Sequence, residues 1–80
     1  MKTDGRLQAW ERWGDYTPHG PVHHAVRRGD VVTFSWDSWD GTSQQDRSRA
    51  RRRAVAWLAM HGGLVRGVTG FRLLVGEVVV

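Results

Sequence analysis

The sequence predicts an α+β fold in which one long basic helix packs on a small antiparallel sheet, with a short helix at the N-terminus. Three patterns carry this reading. Ser43 to His61 has helical periodicity and ends at Gly62-Gly63, Val31 to Trp36 alternates with a period of two, and the last 17 residues, 64 to 80, break into β-branched runs punctuated by glycine. A chain of 80 residues allows a single domain over 1–80 with one modest core, because so short a chain buries a small share of its unfolded surface. With no cysteine, neither a disulfide framework nor a thiolate zinc site reinforces that core.

The N-terminal helix is expected from about Asp4 to Trp13. Thr3 or Asp4 caps it, Gly14 ends it, and Leu7, Trp10 and Trp13 form a stripe at a spacing of three. The run Asp15 to Pro21, DYTPHGP, holds both prolines and a glycine and is expected to be an internal loop over 15–21. A short strand is expected near Val22 to Val26, followed by a turn through Arg27 to Asp30. In the strand Val31 to Trp36, Val32, Phe34 and Trp36 face the core and Val31, Thr33 and Ser35 face away. The run DSWDG ends this strand in a turn with Trp39 near its tip.

In the long helix, Thr42 with Gln45 three residues later reads as a capping box. At 100° per residue, Ala50, Ala54, Trp57, Leu58 and His61 gather on one face. Arg49, Arg52 and Arg53 project away from it, and Arg51 lies at the margin. The alanines on the inner face let the helix lie close to a sheet. The C-terminal hairpin over 64–80 is expected to consist of Leu64 to Val68, a Thr69-Gly70 turn, Phe71 to Val75, a bend at Gly76, and a short end from Glu77 to Val80. Its final valines form an apolar edge that calls for another strand or subunit.

Charge supplies the functional expectation. Residues 1 to 40 hold five basic and six acidic groups, net −1, whereas residues 41 to 80 hold seven and two, net +5. Five of the seven lie together as Arg47, Arg49, Arg51, Arg52 and Arg53; Arg66 and Arg72 are the others. So dense a positive field calls for anionic neighbours, and guanidiniums match phosphate oxygens in paired geometry. The expected function is therefore non-catalytic nucleic-acid binding, to DNA or RNA, by a small regulatory or accessory protein of the kind mobile elements carry. Arg47, Arg49, Arg51, Arg52 and Arg53 grip phosphates in this reading, and Arg66 and Arg72 extend the footprint. A helix followed by a hairpin resembles the second half of winged-helix domains, with the Thr69-Gly70 hairpin in the place of the wing. The helix-turn-helix that precedes the wing in those domains has no counterpart in the unbroken stretch Thr42 to His61.

The alternative is a protein-interaction or structural role, as an inhibitor or an assembly or virion subunit. Five of the eight aromatics are tryptophan, a residue that anchors cores and interfaces alike. Trp10, Trp36 and Trp57 are assigned to the core, while Trp39 and Trp13 are the candidate interaction residues. Self-association into a homo-oligomer through the valine edge belongs to the same alternative.

No catalytic, metal or cofactor site is expected. His23 and His24 are adjacent and point to opposite faces of an extended segment, so they do not share an ion with His19 and Asp15 or Asp30. Asp37 and Asp40 are turn residues, and no glycine run fits a phosphate-binding loop. No stretch reaches the ~18 apolar residues of a membrane span, and the first residues lack the apolar segment of a signal peptide, which leads to an expectation of a cytoplasmic protein without a membrane partner.

Overall fold

Strand β5 (Val31–Trp36) organises the molecule, and the alternation of its side chains decides which side becomes the core. Val32, Phe34 and Trp36 are buried, whereas Val31, Thr33 and Ser35 are half-buried on the opposite face. A computed structural model describes residues 8–11 and 15–80, with side chains from Thr17 onward. The other elements, in chain order, are β1 (Gln8–Glu11), β2 (Asp15–Thr17), β3 (Gly20–Val22), β4 (His24–Arg28), α1 (Gln44–Met60), β6 (Gly70–Val75) and β7 (Val78–Val79). The fold is α+β, with one helix among the described residues.

The main sheet is mixed. Its order is β1-β4-β5-β6-β7, with β5 and β6 parallel and the other neighbours antiparallel; β2 and β3 form a separate hairpin. The expected all-antiparallel sheet is corrected here. Thr69-Gly70 does not turn one strand into the next. The amides of Thr69 and Gly70 donate to the Asp30 carbonyl at 2.8 and 3.4 Å, which starts β6 beside the start of β5. A 17-residue helix at 1.5 Å per residue carries the chain back along the sheet, and a parallel pair requires a crossover of this kind. The expected strand Leu64 to Val68 is a succession of turns, in which the Leu64 and Val65 amides donate to the His61 carbonyl and the Val68 amide to Val65. The hairpin at the C-terminus is instead β6–β7, turning at Gly76-Glu77.

The N-terminal third departs from expectation as well. Over Gln8–Glu11 the chain is a strand paired with β4, not part of a helix, because the free edge of β4 supplies backbone partners. The rest of the expected helix, including Trp13, lies outside the described residues. The expected loop 15–21 is the β2–β3 hairpin, tightly turned at Pro18-His19, with Thr17 opposite Gly20. The strand expected over Val22 to Val26 lies two residues later, as β4, and turns into β5 at Gly29-Asp30.

The helix lies across the inner face of the sheet. Ala50, Ala54 and Trp57 are fully buried, and Trp57 meets Phe34 edge-on, with ring centroids 5.4 Å apart. Phe71 closes the other side of Phe34 at 6.2 Å, and Leu73 and Val75 continue the core along β6. Trp36 and Trp57 are thus core residues, as expected; the Trp10 side chain is outside the described set. The helix begins one residue later than predicted. Ser43 is the N-cap, and its hydroxyl accepts from the Asp46 amide at 3.2 Å. Thr42 serves the preceding turn: its amide and hydroxyl donate to Asp40 Oδ1 at 2.9 and 2.7 Å. These two bonds, the hydroxyl's first, hold the Asp40 carboxyl below the usual aspartate range.

Arg27 ties the crossover to the sheet. Its Nε donates to Gly29 O at 2.7 Å, Nη1 to Leu64 O at 3.1 Å and Nη2 to Arg66 O at 2.8 Å, which joins the β4–β5 turn to the segment after the helix. Because three carbonyls share one guanidinium, Arg27→Ala is expected to cost about 1–2 kcal/mol in urea unfolding. Arg27→Lys should recover little of this, since an ammonium lacks the planar fork. In Thr42→Val, the Asp40 carboxyl should titrate at higher pH than in the parent when followed by NMR. A lowered folded-state pKa means that the stabilisation is present above the unfolded value and lost as pH falls through the folded one, so Thr42→Val should also flatten the acid-induced loss of stability.

Candidate functional site

The five clustered arginines of α1 divide into two sets, and Trp39 makes the division. Trp39 lies half-buried in the loop before the helix, its ring parallel to that of Trp36 within 3° at a centroid distance of 5.4 Å. Arg49 and Arg53, one turn apart, stack on the Trp39 ring at 4.3 and 4.7 Å. Arg49 also pairs with Asp46 at 2.9 Å, and Asp46 accepts the Asp40 amide at 3.0 Å. Arg53 reaches past the helix to donate from Nε to the His19 carbonyl at 2.6 Å. Gly20 allows this crossing, because a Cβ there would sit 2.5 Å from the Arg53 guanidinium, and its φ of +115° suits glycine alone.

Arg49 and Arg53 therefore belong to the structure. Each stacked cation contributes ~0.5–1 kcal/mol at a partly exposed site, and together they fasten the 37–42 loop and the β2–β3 hairpin to the helix. Gly41 completes the arrangement. It is buried where a Cβ would collide with the Val75 carbonyl and the Val78 side chain, so the loop passes directly under the β6–β7 turn.

Arg47, Arg51 and Arg52 form the other set. Arg51 and Arg52 are exposed and Arg47 is half-exposed. They lie on the outer strip of the helix with Gln44 and Ser48, around a shallow hollow of about 440 Å³ that Val80 closes at one side. A second hollow of about 340 Å³ continues past Arg51 and Arg52 over Val55, Ala56 and Ala59 to His19. No described aspartate or glutamate lines either hollow. The one acidic residue of the helix, Asp46, is engaged with Arg49 and the Asp40 amide.

Arg66 is exposed in the turns after the helix. Arg72 is on the sheet face opposite the helix, with Arg28 and His24. The expected single footprint thus resolves into an outer helix strip, a structural pair over Trp39, a loop arginine and a residue on the far side of the sheet. The helical projection has Arg49 and Arg53 pointing outward; the Trp36–Trp39 stack, which periodicity does not register, draws both inward. Arg27, Arg28 and His24 were absent from the expected site. The signal for Arg28 and His24 lay in the strand alternation of β4, once its register was known.

Trp39 is covered on one side by Trp36 and met by Arg49 and Arg53, so its ring is engaged within the fold. His23 lies 3.5 Å from Asp37, whereas His24 is on the open sheet face. Among the described residues no cluster of three or more histidine or acidic side chains is arranged to hold a metal, and no helix is long and apolar enough to cross a membrane. No family model, curated protein or solved structure matches the chain.

Trp39→Ala removes the surface on which Arg49 and Arg53 stack. It is expected to lower stability by about 2–4 kcal/mol by loss of packing. The same variant should speed exchange of the helix N-terminal amides, measured by hydrogen exchange, more than that of the C-terminal turn.

Proposed function

We propose that the protein is a small, non-catalytic nucleic-acid-binding protein that grips phosphates with Arg47, Arg51 and Arg52. The observation that carries this reading is where these three cations stand. They share the outer strip of a helix that is clamped along its inner face, and none has a hydrogen-bond or ion-pair partner among the described residues. Helix stability alone favours acidic residues near the N-terminus and basic ones in the last turn. Here Arg47 stands in the first turn, Arg51 and Arg52 follow in the middle, and the last turn has no basic residue. Arg47 and Arg51 are moreover like charges four residues apart, an arrangement that destabilises a helix by a few tenths of a kcal/mol. A phosphate backbone offsets the like-charge repulsion, since its oxygens accept from guanidiniums, and near Arg47 its charge also complements the positive end of the helix dipole.

The footprint is narrower than the count of arginines suggests. Arg47 and Arg51 are separated by about 6 Å of helix rise, a spacing suited to neighbouring phosphates, with Arg52 beside them. Arg49 and Arg53 act by holding the helix rigid. Of the protein-interaction candidates, Trp39 is half-buried and stacked on Trp36, and Trp13 lies outside the described residues. That reading retains the exposed C-terminal valines, Val79 and Val80.

Binding to random duplex DNA, single-stranded DNA and RNA, followed by fluorescence polarisation, tests the proposal. Three phosphate contacts on duplex DNA correspond to a fall in affinity of about a hundredfold between about 50 and 300 mM salt. The triple variant Arg47→Ala/Arg51→Ala/Arg52→Ala should keep its melting temperature and lose this salt-dependent binding. Absence of binding by the parent at about 50 mM salt, or an unchanged salt slope in the variant, would overturn the phosphate-gripping helix.

A further inference from the structure

No described element covers the face of the sheet turned away from α1. His24, Val26 and Arg28 of β4, Val31, Thr33 and Ser35 of β5, and Arg72 and Leu74 of β6 lie side by side on it, with Val79 of β7 at the edge, around a groove of about 510 Å³. The burial along β5 is the clearest sign: each inward residue is at most 3% exposed, and each outward one is half-buried. Two features set this face apart from an ordinary solvated sheet surface. It is partly aliphatic, with Val26, Val31 and Leu74 placed around Thr33 and Ser35, and Val79, 63% exposed, beside Leu74 at the edge. It also contains the parallel pair β5–β6, the kind of pairing that helices cover on both faces where a sheet is wholly parallel.

We infer that this face is a docking site for an acidic amphipathic helix of a protein partner, whose apolar stripe lies on Val26, Val31 and Leu74 and whose carboxylates meet Arg28 and Arg72. Charge complementarity selects the occupant. The described residues lining the groove include two arginines and a histidine but no carboxylate. A second copy applied through the same face would bring both pairs of arginines into one isologous interface with no acidic partner among the described lining residues. Among the described residues a nucleic-acid strand would find the cations but only the His24 ring to stack on, since the described phenylalanines and tryptophans with ring contacts belong to the helix side. A helix satisfies the geometry, because covering a parallel pair is what helices do in α/β architectures. The six residues of β5 extend ~20 Å, a length matched by about 14 residues of helix.

The site is separate from the helix strip, so the two proposals stand or fall independently. The test uses the full chain and a synthetic helical peptide of about 14 residues with a leucine stripe flanked by glutamates, beside a lysine-flanked counterpart of the same stripe. Two-dimensional NMR is expected to show saturable binding of the acidic peptide, with shifts concentrated at Val26, Val31, Thr33 and Leu74, and no binding of the lysine peptide. Arg28→Ala/Arg72→Ala should weaken binding by about tenfold or more, while Arg47→Ala/Arg51→Ala/Arg52→Ala leaves it within about twofold. Arg28 and Arg72 are exposed, and an unchanged thermal transition in the double variant separates lost docking from lost folding. Failure of the acidic peptide to bind, or shifts confined to α1, would overturn the inference. So would a dimer formed through this face in sedimentation, or perturbation of the same strand resonances by a nucleic acid.

Discussion

One helix has to close the core of a five-stranded sheet, and the edge-on contact between Trp57 and Phe34 is where it does so. A helix is about 10 Å wide, whereas five strands at about 4.8 Å span roughly twice that. The helix therefore covers the central strands β5 and β6, and the residues beneath it, Phe34, Leu73 and Val75, are nearly inaccessible to solvent. Close approach depends on Ala50 and Ala54, whose small side chains leave room for the two large rings. The crossover places β6 parallel to β5, and Arg27 fixes the returning segment. Everything else in the molecule is arranged around this two-layer core.

The width left over is partly filled by aromatic stacking. Trp36, at the end of β5, continues the core outward to Trp39, and Arg49 and Arg53 meet the Trp39 ring from the helix. The layer of rings and guanidiniums joins three segments that are distant in sequence: the β5–α1 loop, the helix and, through the Arg53 bond to His19, the β2–β3 hairpin. A guanidinium suits this work because it retains its charge while lying flat on a ring, and it sheds its hydration more readily than an ammonium. The same chemistry that makes arginine a phosphate ligand here makes it a structural group. What separates the two roles is whether a neighbouring ring captures the side chain first.

The charge distribution follows from this division. The fold uses two of the five helix arginines and presents three, and it carries Arg28 and Arg72 to the opposite side of the molecule. Two cationic surfaces of different character result. The helix strip sets Arg47, Arg51 and Arg52 around shallow hollows that also reach Val80, Val55, Ala56 and Ala59. The sheet face sets Val26, Val31, Leu74 and Val79 among Thr33, Ser35 and the cations Arg28 and Arg72. The first suits a highly charged backbone and the second an apolar stripe with acidic flanks, so a partner on one leaves the other accessible.

Local patterns legible in the sequence determined the extent of β5, its inward and outward faces, the body of the long helix with Ala50, Ala54 and Trp57 against the core, and the inward side of β6. Each follows from a period of two or 3.6 acting on neighbouring residues. The expected helix at the N-terminus failed at Gln8–Glu11 because an exposed strand edge outweighs a three-residue spacing. The run 15–21 became a hairpin because two residues, Pro18 and His19, suffice to reverse it. Strand direction was beyond local reading, since Thr69-Gly70 suits a tight turn and the start of a parallel strand equally well, and a hydrogen bond to Asp30, 39 residues away in sequence for Thr69 as its side chain shows, decides between them. Which arginines face solvent was likewise decided by tertiary structure. The sequence by itself fixes how many cations the helix carries, but only the folded chain brings a tryptophan from the preceding loop against two of them, because stacking depends on position in space and leaves no period in the sequence.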